Sequence, residues 1–133
     1  MNRCLPQVEQ YLRRLAADHP DLVTLVSLGR SWEGREMTGV RVSRGGGGGG
    51  GVRRAIVVDA GIHAREWAAP AVALFLVNQL VESGEHRHLL DGLDWYILPL
   101  LNPDGYEYSH TKVSSALSRL LLSSLLIWPA TYQ

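Results

Sequence analysis

Four consecutive apolar residues, Ala55-Ile56-Val57-Val58, precede a polar loop and then a helix signal at Pro70. The run is too short to be a helix and suits a strand buried on both faces. Pro70 fits a first helical turn. Behind it, Val72, Phe75, Leu76 and Leu80 recur at helical spacing as far as Glu82 and read as an apolar stripe.

The rest of the chain fits around that unit. Val8, Tyr11, Leu12 and Leu15 lie on one helical face, and Pro20 closes the segment. Residues 22–28 read as a strand with Leu22, Thr24, Val26 and Leu28 on one side. Turn-forming residues 29–34 lead to a second strand at 37–43, carrying Val40 and Val42. Residues 95–101 form a further strand candidate, which Pro99 would tie to a sheet edge or a bulge. Helices interleaved with strands predict an α/β layered fold.

Composition adds three constraints. Thirteen basic and thirteen acidic residues give a net charge of zero. This removes the electrostatic reason to expect a nucleic acid or an anionic membrane as partner. The single cysteine, Cys4, excludes an internal disulfide framework. The N-terminus lacks the apolar core of a signal peptide. Seven of the 14 glycines form one run, residues 45–51, which is followed by Val52, Arg53, Arg54 and another strand. A phosphate-binding loop would open a helix instead, so a flexible connector between strands is expected.

After Lys112 the sequence changes character. Residues 113–133 are rich in Leu and Ser and contain one charged residue, Arg119. Lys-Val-Ser at 112–114 can be encoded as AAG-GTG-AGT, a typical exon end and intron start. The tail is therefore expected to be read-through of an unspliced intron. A genuine C-terminal helix is the alternative, although Leu117, Leu120, Leu121, Leu122, Leu125 and Leu126 form no clean stripe.

Chemistry concentrates between the strand at 55–58 and the helix at 70. In α/β sheets, ligands bind beyond the carboxyl ends of strands. His63 and Glu66 offer an imidazole and a carboxylate three residues apart, both good zinc donors. The spacing alone is unspecific, since roughly 0.3 such matches arise by chance in this composition. The flanks add specificity. Gly61-Ile62-His63-Ala64-Arg65-Glu66-Trp67, then Asn102-Pro103-Asp104-Gly105-Tyr106-Glu107-Tyr108-Ser109-His110-Thr111, resemble the zinc metallocarboxypeptidases of the carboxypeptidase A/B type. Leu28-Gly29-Arg30-Ser31-Trp32-Glu33-Gly34-Arg35 resembles a third motif of that family, in the same order along the chain.

The resemblance implies a large mixed sheet with helices on both faces. This chain would supply a partial α/β/α sandwich with an incomplete mixed sheet in residues 1–112, followed by an unrelated tail in residues 113–133. It also implies His63 and Glu66 as zinc ligands, Arg65 as a residue of the substrate cleft, and the C-termini of peptides or proteins as substrates. The family's third zinc ligand, its glutamate base and its terminal-carboxylate site lie downstream of the matching region, and 67 residues follow Glu66 here. His19, His86 and His88 read as solvated residues, and His110 matches no ligand. The expectations are weak Zn2+ binding, no catalytic residue within the chain and no activity of the chain alone. A non-catalytic or decoy role using the zinc loop and the NPDGY loop (residues 102–106) is the alternative. The resemblance also implies an extracellular setting. Apolar surfaces around Val57 and on the helix at 72–80 are expected to lack partners.

Overall fold

The computed structural model describes residues 4–45 and 54–111. Most of the glycine run and the whole expected tail, including its alternative helix, lie outside that set. The element order is α1 (Cys4–Asp18), β1 (Val23–Arg30), β2 (Glu36–Val42), β3 (Arg54–Asp59), α2 (Ala68–Val81), a 3-10 turn (Arg87–Leu90), β4 (Leu93–Leu98) and α3 (Pro103–Thr111). The strands form one mixed sheet in the order β1-β2-β4-β3. β1 and β2 are antiparallel with Val23 opposite Val42, and β2 and β4 are antiparallel with Val40 opposite Ile97. β3 runs parallel to β4 with Val58 beside Ile97, so α2 lies in the crossover that a parallel pair requires.

α1 follows its periodicity. Leu12 and Leu15 are fully buried, while Val8 and Tyr11 pack against the same core. On its outer side Arg13 pairs with Glu9 at 2.6 Å, and the helix ends two residues before Pro20. Leu12 and Leu15 of α1 meet Ala73, Val77, Leu80 and Val81 of α2 over Val23, Val40, Val42 and Ile97 of the sheet. Each such fully buried Leu, Ile or Val contributes roughly 1.5–3 kcal/mol. α1 and α2 therefore share one sheet face, and the expected α/β arrangement with an incomplete mixed sheet is present.

Four local expectations need correction. β3 is the end strand of the sheet, so it is not buried on both faces, and Val57 is 63% exposed. The buried side of α2 is Pro70, Ala73, Val77, Leu80 and Val81, whereas Val72 and Phe75 are 65% and 63% exposed. The helix is apolar nearly all round, so periodicity alone could not select the inner face. In β1 the core side carries Val23 and Leu25, while Leu28 is exposed. Finally, β4 lies inside the sheet, between β2 and β3. Pro99 is buried one residue beyond the strand's end, where its missing N–H breaks no ladder bond. Among the described residues, Val57 and the Val72 and Phe75 side of α2 are exposed, whereas Ala73, Val77 and Leu80 are buried.

The asymmetry of α2 is testable. Phe75→Glu should change folding stability by no more than about 0.5 kcal/mol and reduce concentration-dependent association in sedimentation. Leu80→Ala should cost roughly 2–5 kcal/mol in denaturant unfolding.

Candidate functional site

The loop between β3 and α2 leaves the sheet at the carboxyl end of β3. Its first residues extend the parallel ladder: Ala60 N–H donates to the Leu98 carbonyl at 2.9 Å. Leu101 and Asn102 N–H groups donate back to Ala60 and Gly61 at 3.0 Å each. Gly61 turns the chain with φ +65°, and a Cβ there would lie 2.6 Å from Leu100 Cδ1. Only glycine meets both conditions at low cost. Beyond it, Glu66 N–H donates to the His63 carbonyl at 3.1 Å, and Ala69 N–H to the Glu66 carbonyl at 3.0 Å, leading into α2.

This tight turn brings His63 and Glu66 together. His63 Nδ1 lies 3.2 Å from Glu66 Oε1, with the two side chains 75% and 61% exposed. Arg65 stands in the same turn and is exposed. Among the described residues, no group of three or more His, Cys, Asp or Glu side chains converges as a metal site. In the polar turn after α2, His88 is exposed and His86 is half-buried.

The backbone around His63 is held from outside the loop. Asn102 Nδ2 donates to the Ile62 carbonyl at 3.1 Å. Ser109 Oγ lies 2.8 Å from the Ala64 carbonyl and 2.7 Å from the Tyr106 carbonyl, and it accepts from Trp67 Nε1 at 3.0 Å. His110 stacks on Trp67 with centroids 4.2 Å apart, and its Nδ1 faces the Tyr106 carbonyl at 2.9 Å. His110 is thus turned toward the packing of the loop.

These contacts come from α3, a helix where the NPDGY motif alone suggests a loop. Asn102 caps the helix, its Oδ1 accepting from Gly105 N–H at 2.8 Å. Pro103 fills the first helical position, where a missing N–H is harmless, and Asp104 stands in the first turn. A Cβ on Gly105 would lie 2.6 Å from the Asn102 amide, so the glycine leaves room for the cap. An Asn-Pro-Asp start with an acidic first turn is itself a helix signal. Asn102, Asp104 and Ser109 hold these segments together through side-chain hydrogen bonds that the sequence motifs do not reveal.

Asp104 ties α3 to the remaining motif. It accepts from Ser31 Oγ at 2.7 Å and Glu33 N–H at 3.0 Å, and it pairs with Arg35. Desolvation opposes ionisation of its carboxyl. The Glu33 N–H, the Ser31 hydroxyl and the Arg35 guanidinium outweigh it and hold the pKa below the ordinary value. All three sequence motifs therefore meet at α3. A cavity of about 360 Å³ is lined in part by Val8, Thr38, Leu100 and Glu107, and His63 and Glu66 do not line it.

Together the fold and site define an α/β protein with a histidine-carboxylate loop at the end of a parallel strand. The family model described as Zinc carboxypeptidase matches residues 8–122, and the chain belongs to that family. It is 44% identical over 104 residues to zinc carboxypeptidase A 1 of Drosophila melanogaster, covering 76% of this chain and 24% of that protein. Against carboxypeptidase B of Astacus astacus it is 37% identical over 106 residues, covering 79% and 34%. The solved structure of carboxypeptidase A from Helicoverpa armigera superposes with a TM-score of 0.76 at 31% identity, over 82% of this chain and 26% of that one. The chain thus spans about a quarter to a third of these relatives.

The lowered pKa of Asp104 has a signed consequence. Its stabilisation is present above the unfolded carboxyl value of 3.8 and is lost as pH falls through the lower folded value. Asp104→Asn should cost about 1–2 kcal/mol near neutrality. In thermal unfolding across pH, the gap between the two proteins should close below that range.

Proposed function

We propose that this chain furnishes the N-terminal part of a metallocarboxypeptidase catalytic region acting on the C-termini of peptides or proteins. His63 and Glu66 are two of its zinc ligands, and Arg65 lines the substrate cleft. The observation that carries this reading is the approach of His63 Nδ1 to Glu66 Oε1 at 3.2 Å on a pinned loop. Two donors on one tetrahedral zinc, each at about 2.0–2.1 Å, stand ~3.3 Å apart. The pair fits that requirement, and an imidazole with a carboxylate is a zinc donor set.

Zinc bound there supplies a Lewis acid for peptide-bond hydrolysis. The chain's own contribution is to hold the two donors on a fixed backbone and to present Arg65 from the same turn. Exposed guanidinium groups suit carboxylate and carbonyl oxygens of a peptide. In this reading the remaining ligand, the base and the terminal-carboxylate site come from outside these 133 residues, and the chain alone holds zinc weakly and turns over no peptide. In this reading residues 1–112 are the family part and residues 113–133 a tail, with the family match running on to residue 122. The setting is extracellular. No helix among the described residues is long and apolar enough to cross a membrane. A non-catalytic binding role would have to use the zinc loop and the exposed apolar faces, since Asn102 and Asp104 are engaged within the fold.

The test is metal stoichiometry of the purified 133-residue chain, with an assay for amino acids released from a peptide C-terminus. The expected result is weak zinc binding that falls further in His63→Ala and Glu66→Ala, with no release. Zinc-dependent turnover would overturn the expectation of inactivity, and zinc binding unchanged in both variants would overturn the ligand assignment.

A further inference from the structure

Two side chains at the start and end of α3 hold the carbonyls on either side of His63. Asn102 Nδ2 reaches Ile62 and Ser109 Oγ reaches Ala64, at 3.1 and 2.8 Å. The same hydroxyl receives Trp67 Nε1, one residue beyond Glu66. The loop segment carrying both expected donors is thus fixed before, between and after them. His63 and Glu66 themselves are largely exposed, so side-chain packing does little to orient them. Their relative placement depends on the backbone, and the backbone depends on α3.

We infer that Asn102 and Ser109 are positioning residues for the metal pair, setting its zinc affinity without contacting the ion. The inference rests on the reading of His63 and Glu66 as zinc ligands. Asn102 has two separable roles. Its Oδ1 caps α3 through Gly105 N–H, and its Nδ2 holds Ile62. Aspartate is as good a cap as asparagine but donates no hydrogen bond when ionised. Asn102→Asp therefore keeps the helix start and turns the hold on Ile62 into a contact between two acceptors. Ser109 has one proton facing two carbonyls, Ala64 and Tyr106, and it also accepts from Trp67. Ser109→Ala removes the link to Ala64 and leaves the Trp67 N–H without that acceptor.

The experiment uses the full 133-residue chain and both variants. Three readouts are taken: zinc titration by calorimetry, amide exchange of residues 62–66 in EDTA, and far-ultraviolet circular dichroism. Outer-shell changes of this kind lower metal affinity about 10-fold or more. Asn102→Asp and Ser109→Ala should each weaken zinc binding by about 10-fold and speed exchange in the metal-free loop, with helical content preserved. A purely structural cap would leave Asn102→Asp at wild-type affinity and exchange. If the wild-type chain binds zinc and both variants match it, the positioning role is wrong. If the wild-type chain binds no zinc, the ligand reading fails, and the inference fails with it.

Discussion

The side-chain amide of Asn102 is the contact on which the organisation of this molecule turns. One end of the amide starts α3, and the other fastens the loop that carries His63 and Glu66. A flipped amide would set oxygen against the Ile62 carbonyl and nitrogen against the Gly105 N–H, so both bonds demand the same orientation. Each hydrogen bond contributes about 1 kcal/mol, but the geometric effect is larger. α3 also anchors the Ser31–Arg35 turn through Asp104, so three segments distant in sequence share one short helix. Losing the helix start would release the loop and the turn together.

This arrangement explains how an exposed pair can still be well placed. Functional groups on rigid, supported backbone keep their geometry without burial. Gly61 fixes the entry to the loop, α2 fixes the exit, and the side chains of Asn102 and Ser109 fix the middle. His63 and Glu66 remain accessible because their order comes from main-chain carbonyls rather than from packing around the imidazole and carboxylate. Exposure of the two side chains and definition of the backbone that carries them are thereby reconciled.

How much of this is legible in the sequence follows from the range of each signal. α1 has a one-sided periodicity with polar residues elsewhere, and its buried residues are those the pattern names. Val40 and Val42 alternate with polar residues and point inward as alternation requires. The inner face of α2 is not legible, because Val72, Phe75, Ala73 and Val77 are all apolar and the choice between them is tertiary. β3 reads as fully buried for the same reason: a continuous apolar run carries no information about which side is covered. Pro99 misleads because a missing N–H excludes proline from a ladder but says nothing about the residue just past a strand. His63 and Glu66 are singled out by type and flanking motif, and the turn brings them together. Their supports escape notice because a hydrogen bond from residue 102 to residue 62 leaves no periodic trace.

The two flanks of the sheet are built differently. On the β1 flank, Arg13 bridges Glu9 and Glu36, and Arg30 pairs with Glu36, so the rim is charged and internally paired. Such exposed pairs add little stability, a median of about 0–1 kcal/mol, but they give a neighbour little apolar surface to cover. On the β3 flank the strand has a hydrogen-bonded neighbour on one side, Val57 is exposed, and α2 presents Val72 and Phe75 outward. An open strand edge beside exposed apolar side chains favours pairing and association. Apolar area of this kind is worth about 25 cal/mol for each Å² removed from water. The loop carrying His63 and Glu66 leaves from the carboxyl end of the same strand.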